Sequence, residues 1–447
     1  MNPSLTLSEP YLRAKYPVAR LLQPGGGLLA GVVRLAGEPT SPDFEIAVTN
    51  LDNVTEVFPH VTTASGGDVS GEPLGGAAAD VDPEWAWLRA VMEGVERYAC
   101  MAFAADEFVL SSAHDMGAKA LDLDRVPRCS KRELADPKCG YTTPDKSAAI
   151  RWTRGYSLRD RQERWVPSVM SHLYLRPLPE ERFWQMITTG VAAHVTLEAA
   201  LVSAICEVVE RDAIALTWLA KLPLPRIAIP KPWPSVLAPN MQRLSRSLID
   251  HHFFDATTDV GIPTVYAVQL LKDHPHLAQY VNCATEFDAA SACAKTIRES
   301  APARTVFEGG YKFPDKVEDF TQLHDGAAYL GQPQHREAFD FLIDTPNRRP
   351  LADVCIQPPT GDAARLRFLV DRLRALDMDV IAVDLTTREL RDLGIWVVRV
   401  VIPDLMPMTS DYRGRFLGTP RLYDYPLKAG FGRFDERDVN PRPQPFA

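Results

Sequence analysis

The sequence offers little that would tie it to an oxidising or membrane setting. Its seven cysteines (Cys100, Cys129, Cys139, Cys206, Cys283, Cys293 and Cys355) form no CxxC pair. Their odd number argues against a closed disulfide framework, so a reducing cytoplasm is expected. No uncharged stretch reaches the ~20 apolar residues of a membrane helix. The run through Arg20 lacks the basic start, apolar core and small-residue cleavage site of a secretory signal. Basic residues are outnumbered, 49 Lys and Arg against 58 Asp and Glu, and the net charge is −9. Scattered cations in an acidic chain do not make the footprint that neutralises a run of phosphates, so neither nucleic acid nor membrane is expected as a partner. Familiar catalytic signatures are missing as well. Gly25-Gly26-Gly27 is not followed by Gly-Lys-Ser/Thr and reads as a turn, and there is no strand–GxGxxG–helix unit and no Gly-x-Ser-x-Gly elbow. His274-Pro275-His276 and His251-His252 lack partners at zinc spacing and read as surface histidines.

What is present is a globular chain of 447 residues, 46% hydrophobic and 24% charged, long enough to bury a large core. Short β-branched runs at Leu28–Leu35 and Phe44–Leu51 predict strands in a strand-rich N-terminal part, residues 1–60, of the same unit as the rest. Trp85, Leu88, Met92, Val95 and Ala99 recur at helical spacing, predicting an amphipathic helix from Asp82 to about Phe103. A second helix is predicted from Thr196 to about Ala220, and a third from Asp288 to about Ser300, stopped by Pro302. Residues 120–150 are polar and read as a surface excursion. Strand-like runs at Gly261–Leu271, Val380–Leu385 and Ile395–Ile402 make the fold class α/β (α+β). The end, 434–447, alternates prolines and reads as an extended tail.

The chain repeats itself. Glu93-x-x-Glu96-Arg97 recurs as Glu207-x-x-Glu210-Arg211, and Gly76 to Glu84 aligns without gaps on Gly190 to Glu198. An N-cap residue, Asp82 or Thr196, stands eleven positions before the first Glu of each pair. A weaker third copy has Asp288 eleven positions before Glu299, with Phe287 in the place of Val81 and Val195 and Pro302 in the place of the second Glu. One such pattern alone reads as ordinary i,i+4 ion pairs on a solvated face. Duplication in register favours a shared site.

Helical geometry puts Arg89, Glu93, Glu96 and Arg97 on one flank of the first helix and Ser203, Glu207, Glu210 and Arg211 on the same flank of the second. Four carboxylates brought together would raise one another's pKa values unless a cation lies among them. Hard oxygen ligands suit Mg²⁺ with substrate phosphates, and Arg97, Arg211 and Arg304 could clamp phosphate oxygens. Glu93, Glu96, Glu207 and Glu210 are therefore expected to converge within one cation's coordination sphere.

The run from Thr189 to Ala213, together with Met92-Glu93-Gly94-Val95-Glu96-Arg97-Tyr98 upstream, resembles the signature of the YcaO superfamily. Asp379 to Thr386 and Gly394 to Pro403 resemble its late strands. The resemblance covers 61–447 as one YcaO cyclodehydratase domain of internally repeated helix–strand units. It implies ATP held through Mg²⁺ by the paired glutamates, with Ser203, Arg97, Arg211, Glu299 and Arg304 at the nucleotide. Relatives often carry Ser where this chain has Arg89, Gly-Asn where it has His194-Val195, and Glu where it has Ala199.

The terminus Pro441-Arg442-Pro443-Gln444-Pro445-Phe446-Ala447 is similar to the PxPxP tail of azoline-forming members, which implies that Pro441, Pro443, Pro445 and Ala447 serve cyclisation. Deleting this tail is expected to spare folding. The implied reaction is attack of a Cys, Ser or Thr side chain of a ribosomal precursor peptide on the preceding carbonyl, with ATP-driven loss of the oxygen to give a thiazoline or oxazoline. Thioamide or macroamidine formation, or an inactive scaffold, are the alternatives. The length implies a separate E1-like (ThiF-like) leader-binding partner, and the resemblance also implies a homodimer and a flavin-dependent azoline dehydrogenase acting downstream.

Overall fold

The computed structural model describes residues 9–23, 27–37, 39–52, 54–64 and 74–446. Gly25, Gly26 and Ala447, for which the sequence suggests a turn and a role at the terminus, lie outside the described residues. The strands are β1 (Leu29–Leu35), β2 (Glu45–Leu51), β3 (Gly75–Asp80), β4 (Val109–Ser111), β5 (Ile150–Ser157), β6 (Gln162–Pro167), β7 (Val191–His194), β8 (Arg226–Ala228), β9 (Asp250–Asp255), β10 (Thr264–Leu270), β11 (Gln279–Thr285), β12 (Arg348–Pro350), β13 (Ile381–Asp384) and β14 (Trp396–Val401). They form three sheets, ordered β1-β2-β3, β4-β5-β13-β14-β7 with β6 beside β5, and β11-β10-β9-β8-β12. Apart from β8 with β12, these strands pair antiparallel, so of the two expected descriptions α+β is the one observed.

The repeat has a physical form. β3, β7 and β11 are each the edge strand of a different sheet, and each runs through a capped turn into a long helix: α1 (Pro83–Met101), α2 (Leu197–Leu219) and α3 (Ala289–Phe307). The caps are the expected residues. Asp82 accepts from Glu84 N at 2.8 Å, Thr196 from Ala199 N at 3.3 Å, and Asp288 from Ser291 N at 3.0 Å. Every helix packs on its own strand and on that of the next unit: α1 on β3 and β7, α2 on β7 and β11, α3 on β11 and β3. The units thus close into a ring with three seams. The aligned glycines serve close backbone approach, for a Cβ on Gly76 would lie 2.0 Å from Ala90 O, and Gly190 (φ +83°) would set one 2.5 Å from Val400 O.

Several expectations need correction. The buried face of α1 is Ala86, Ala90, Val91, Val95 and Ala99, and Trp85 is exposed. α3 does not stop at Pro302 but continues to Phe307, because Ala301, Arg304 and Phe307 are buried and their packing outweighs the one N–H that proline lacks. The 120–150 segment is irregular but anchored: Leu121, Leu123, Val126 and Cys129 are buried, and Glu133 accepts from Arg415 N and Leu417 N. His251 and His252 are interior, not surface, because β9 is flanked by strands on both sides. His251 faces Gln269 and Thr296, and burial pushes its imidazole down to about 3, so it is neutral. All seven cysteines are free, and no helix among the described residues is long and apolar enough to cross a membrane.

Candidate functional site

An edge strand leaves a row of N–H groups without ladder partners, and buried ones must find acceptors. Here the repeated glutamates supply them. Glu96, on α1, accepts from Ala193 N of β7 at 2.7 Å, and Glu210, on α2, accepts from Thr285 N of β11 at 2.9 Å. Ala193 and Thr285 are equivalent, each three positions before its cap. The second Glu of each unit thus ties its helix to the strand of the next. The first Glu works within its own unit: Glu93 accepts from Ala77 N at 2.9 Å and Glu207 from Gly190 N at 3.0 Å. Each also takes the Arg four residues on, Arg97 at 2.8 Å and Arg211 at 3.2 Å, and Arg211 bonds Glu210 at 2.9 Å.

At the seam between α2 and α3, Lys295 Nζ stands 3.7 Å from Glu210 and 3.9 Å from Glu286. Glu299 adds its field there and stabilises the Lys295 ammonium. Lys295 and Glu286 were not singled out as site residues from the sequence. Counting from the cap would have found Lys295, since it stands seven positions after Asp288, as Arg89 does after Asp82 and Ser203 after Thr196. Ser203 is exposed one turn above Glu207. Arg304 departs from expectation. It is fully buried, paired with Glu308 at 2.6 Å and bonded to Ser41 and Gln269, each at 3.2 Å, so its guanidinium is not presented beside Arg97 and Arg211.

The electrostatics follow from crowding. Burial holds the Glu96 carboxyl well above the usual range, and the fields of Glu207 and Glu93 push it further. Burial also raises Glu210, against the pull of Lys295 and Arg211. The expected single coordination sphere is not preformed: among the described residues no three Asp, Glu, His or Cys side chains converge as ligands. The reason is that each glutamate is held by a strand N–H or an arginine, and Glu96 and Glu210 serve different seams. The donor set nevertheless suits Mg²⁺ with a polyphosphate. It is all carboxylate oxygen, its buried acids favour a nearby cation, and the buried Nε atoms of Arg97 and Arg211 have no hydrogen-bond partner among the described residues.

The tail packs against the end of α2 and against β10. Asn440 donates from its backbone to Leu219 O at 2.8 Å and from its side chain to Trp218 O at 3.1 Å, closing the end of α2. Tyr412 donates to Pro441 O at 2.6 Å, and Gln444 O sits where a Cβ on Gly326 would come within 2.0 Å. Pro443, Pro445 and Phe446 are buried, and the Phe446 ring meets Tyr266 edge-on at 5.4 Å. Tyr266 pairs across the sheet with Cys283, whose buried thiol feels Glu210, Arg211 and Lys295. The tail is therefore a core element, and its burial runs against the expectation that it could be removed without cost to folding.

Residues 77–406 match the family described as YcaO cyclodehydratase, ATP- and Mg²⁺-binding. An uncharacterised protein of Methanothermobacter thermautotrophicus is 26% identical over 72% of this chain and 79% of its own length. The fold is that of a heterocyclase solved in complex with substrate and cofactor (TM-score 0.78, 22% identity, 98% of this chain), although the chain spans only 57% of that protein's length. It is likewise that of YcaO from Methanopyrus kandleri bound with AMPPCP and Mg²⁺ (TM-score 0.62, 14% identity, 90% of this chain and 91% of that one). With 77–406 matched and the repeated glutamates inside that span, the chain belongs to the YcaO cyclodehydratase family, which binds ATP and Mg²⁺.

Proposed function

We propose that this protein forms azolines by ATP-dependent cyclodehydration of Cys, Ser or Thr residues in a ribosomally made peptide. The observation that carries the reading is the meeting of two features: a bowl of glutamates and arginines, and a proline-rich tail whose Phe446 meets Tyr266, the cross-strand partner of Cys283, two residues before the Thr285 that donates to Glu210. Glu93, Glu96, Glu207 and Glu210 would hold Mg²⁺, and Arg97 and Arg211 would orient phosphate oxygens. Bound ATP supplies the phosphoryl group that turns the peptide oxygen into a leaving group. The protein's own contribution is positioning and fixed charge, since the carboxylates and guanidiniums are already locked by backbone and ion-pair contacts. Ser203 and Glu299 would face the nucleotide from the rim. The tail, Pro441 to Ala447, would shape the peptide side of the site.

A leader-binding, E1-like partner would tether the precursor near the bowl and raise its effective concentration there. The purified chain with Mg²⁺ and ATP is therefore expected to be nearly inert toward precursor until that partner is added. It should then remove one water per ring while releasing phosphate in step, read by mass spectrometry and phosphate assay. Gain of sulfur without loss of water would assign thioamide chemistry instead. Absence of phosphate release in the complete mixture would make the chain a scaffold.

A further inference from the structure

We propose that the third seam, between α3 and α1, is an anion site in which Arg89 and Arg298 hold phosphate groups of the bound nucleotide. The identity of the ligand rests on the ATP reading above; the anion chemistry does not. In the other two seams a glutamate crosses from one helix to the next strand. Here the equivalent position of α3 is Pro302, so no carboxylate crosses from that position, and two arginines meet there instead. Asp80, buried at the end of β3, pairs with Arg89 and lies 3.9 Å from Arg298 Nε. Two guanidiniums from two helices thus share one directly contacting carboxylate.

Their donors are underused. A guanidinium offers five N–H groups. Among the described residues Arg89 makes one side-chain hydrogen bond, to Asp80, and Arg298 makes none, its Nε being buried without a partner. Arg89 remains accessible at the mouth and is backed by the exposed Trp85 ring, 6.0 Å from its guanidinium carbon. Glu286 and Glu299 also act on Arg89, but both are engaged electrostatically with Lys295 on the α2 side. A polyphosphate lying across the bowl would meet carboxylates with Mg²⁺ at one end and these two forks at the other. That match of two planar forks to several phosphate oxygens favours a polyphosphate over a peptide carboxylate.

Pyrophosphate, without nucleotide or metal, probes the seam directly. Calorimetric titration of the full chain should show binding that weakens about tenfold in Arg89→Gln and in Arg298→Gln, the scale of one charge-assisted hydrogen bond, and that becomes less salt-dependent in both. Arg89→Lys and Arg298→Lys, which keep the charge and guard against a folding defect, should fall between wild type and the Gln variants. The preference for ATP over adenosine should shrink in parallel. Equal pyrophosphate affinity in wild type and the Gln variants, or no binding in wild type, overturns the seam. ATP bound tightly over adenosine in every variant also overturns it but leaves the ATP reading standing. Arginine-dependent pyrophosphate binding by a protein that does not bind ATP keeps the seam and sinks the ATP reading.

Discussion

Replacing Glu210 by glutamine is expected to cut ring formation by ~10²- to 10³-fold, the scale of losing one fixed electrostatic contact to the reacting centre, while leaving the fold intact. Glutamine keeps an oxygen that can accept from Thr285 N, and it removes a charge that burial already disfavours. Arg211 retains Glu207 and Lys295 retains Glu286, so neither cation is stranded. Alanine is a different experiment. Glu210 is 4% exposed, and Glu210→Ala would leave a buried strand N–H without its acceptor and take one carboxylate from the half-buried Arg211 and Lys295. A loss of about 1–3 kcal/mol is expected, as when a buried donor is left without its acceptor. Thermal melts with and without Mg²⁺ and a non-hydrolysable ATP analogue separate the two. Wild type should gain stability from the ligand and Glu210→Gln should not; a full ligand-induced shift in Glu210→Gln would remove this carboxylate from the proposed site.

Deleting Pro441 to Ala447 is expected to lower ring formation by at least ~10²-fold, the scale of losing a positioned acid–base group, and also to destabilise the protein. Phe446 is 4% exposed, meets Tyr266 and belongs to one buried apolar cluster with Ala215 and Trp218, so Phe446→Ala alone should cost about 3 kcal/mol or more. The two effects can be parted at a distance from the tail. Gly326 lies on the helix Leu323–Gly331, and a methyl group there would meet Gln444 O at 2.0 Å. Gly326→Ala should lift the tail from its seat and reduce ring formation by ~10-fold or more, with ATP affinity nearly unchanged. Undiminished ring formation in that variant and in the deletion would make the tail purely structural.

The sequence revealed the ring's parts but not its joints. Caps, helix registers and the equivalence of the glutamates are local patterns, set within a dozen residues, and so Asp82, Thr196 and Asp288 fell where spacing put them. What Glu96 and Glu210 bind was not legible, because Ala193 and Thr285 are 97 and 75 residues away. A repeat shows that positions are equivalent; it does not say which strand stands opposite. Pro302 misled because intrinsic helix preference yields to burial, and Arg304, one of the residues buried beyond it, was misplaced with it. The tail was recognised by composition, yet its depth depends on Gly326 and Tyr266, which carry no mark of it.

The reach of those two glutamates also bears on how the chain attains its shape. Since Glu96 is made on α1 and the strand whose N–H it accepts follows 97 residues later, that carboxylate stays without its donor through much of synthesis, and Glu210 waits likewise for β11. Contacts of such long sequence separation are slow to form. Each unit is thus completed only by its successor, and the ring should assemble late and cooperatively, with no single unit able to stand as an independent fragment.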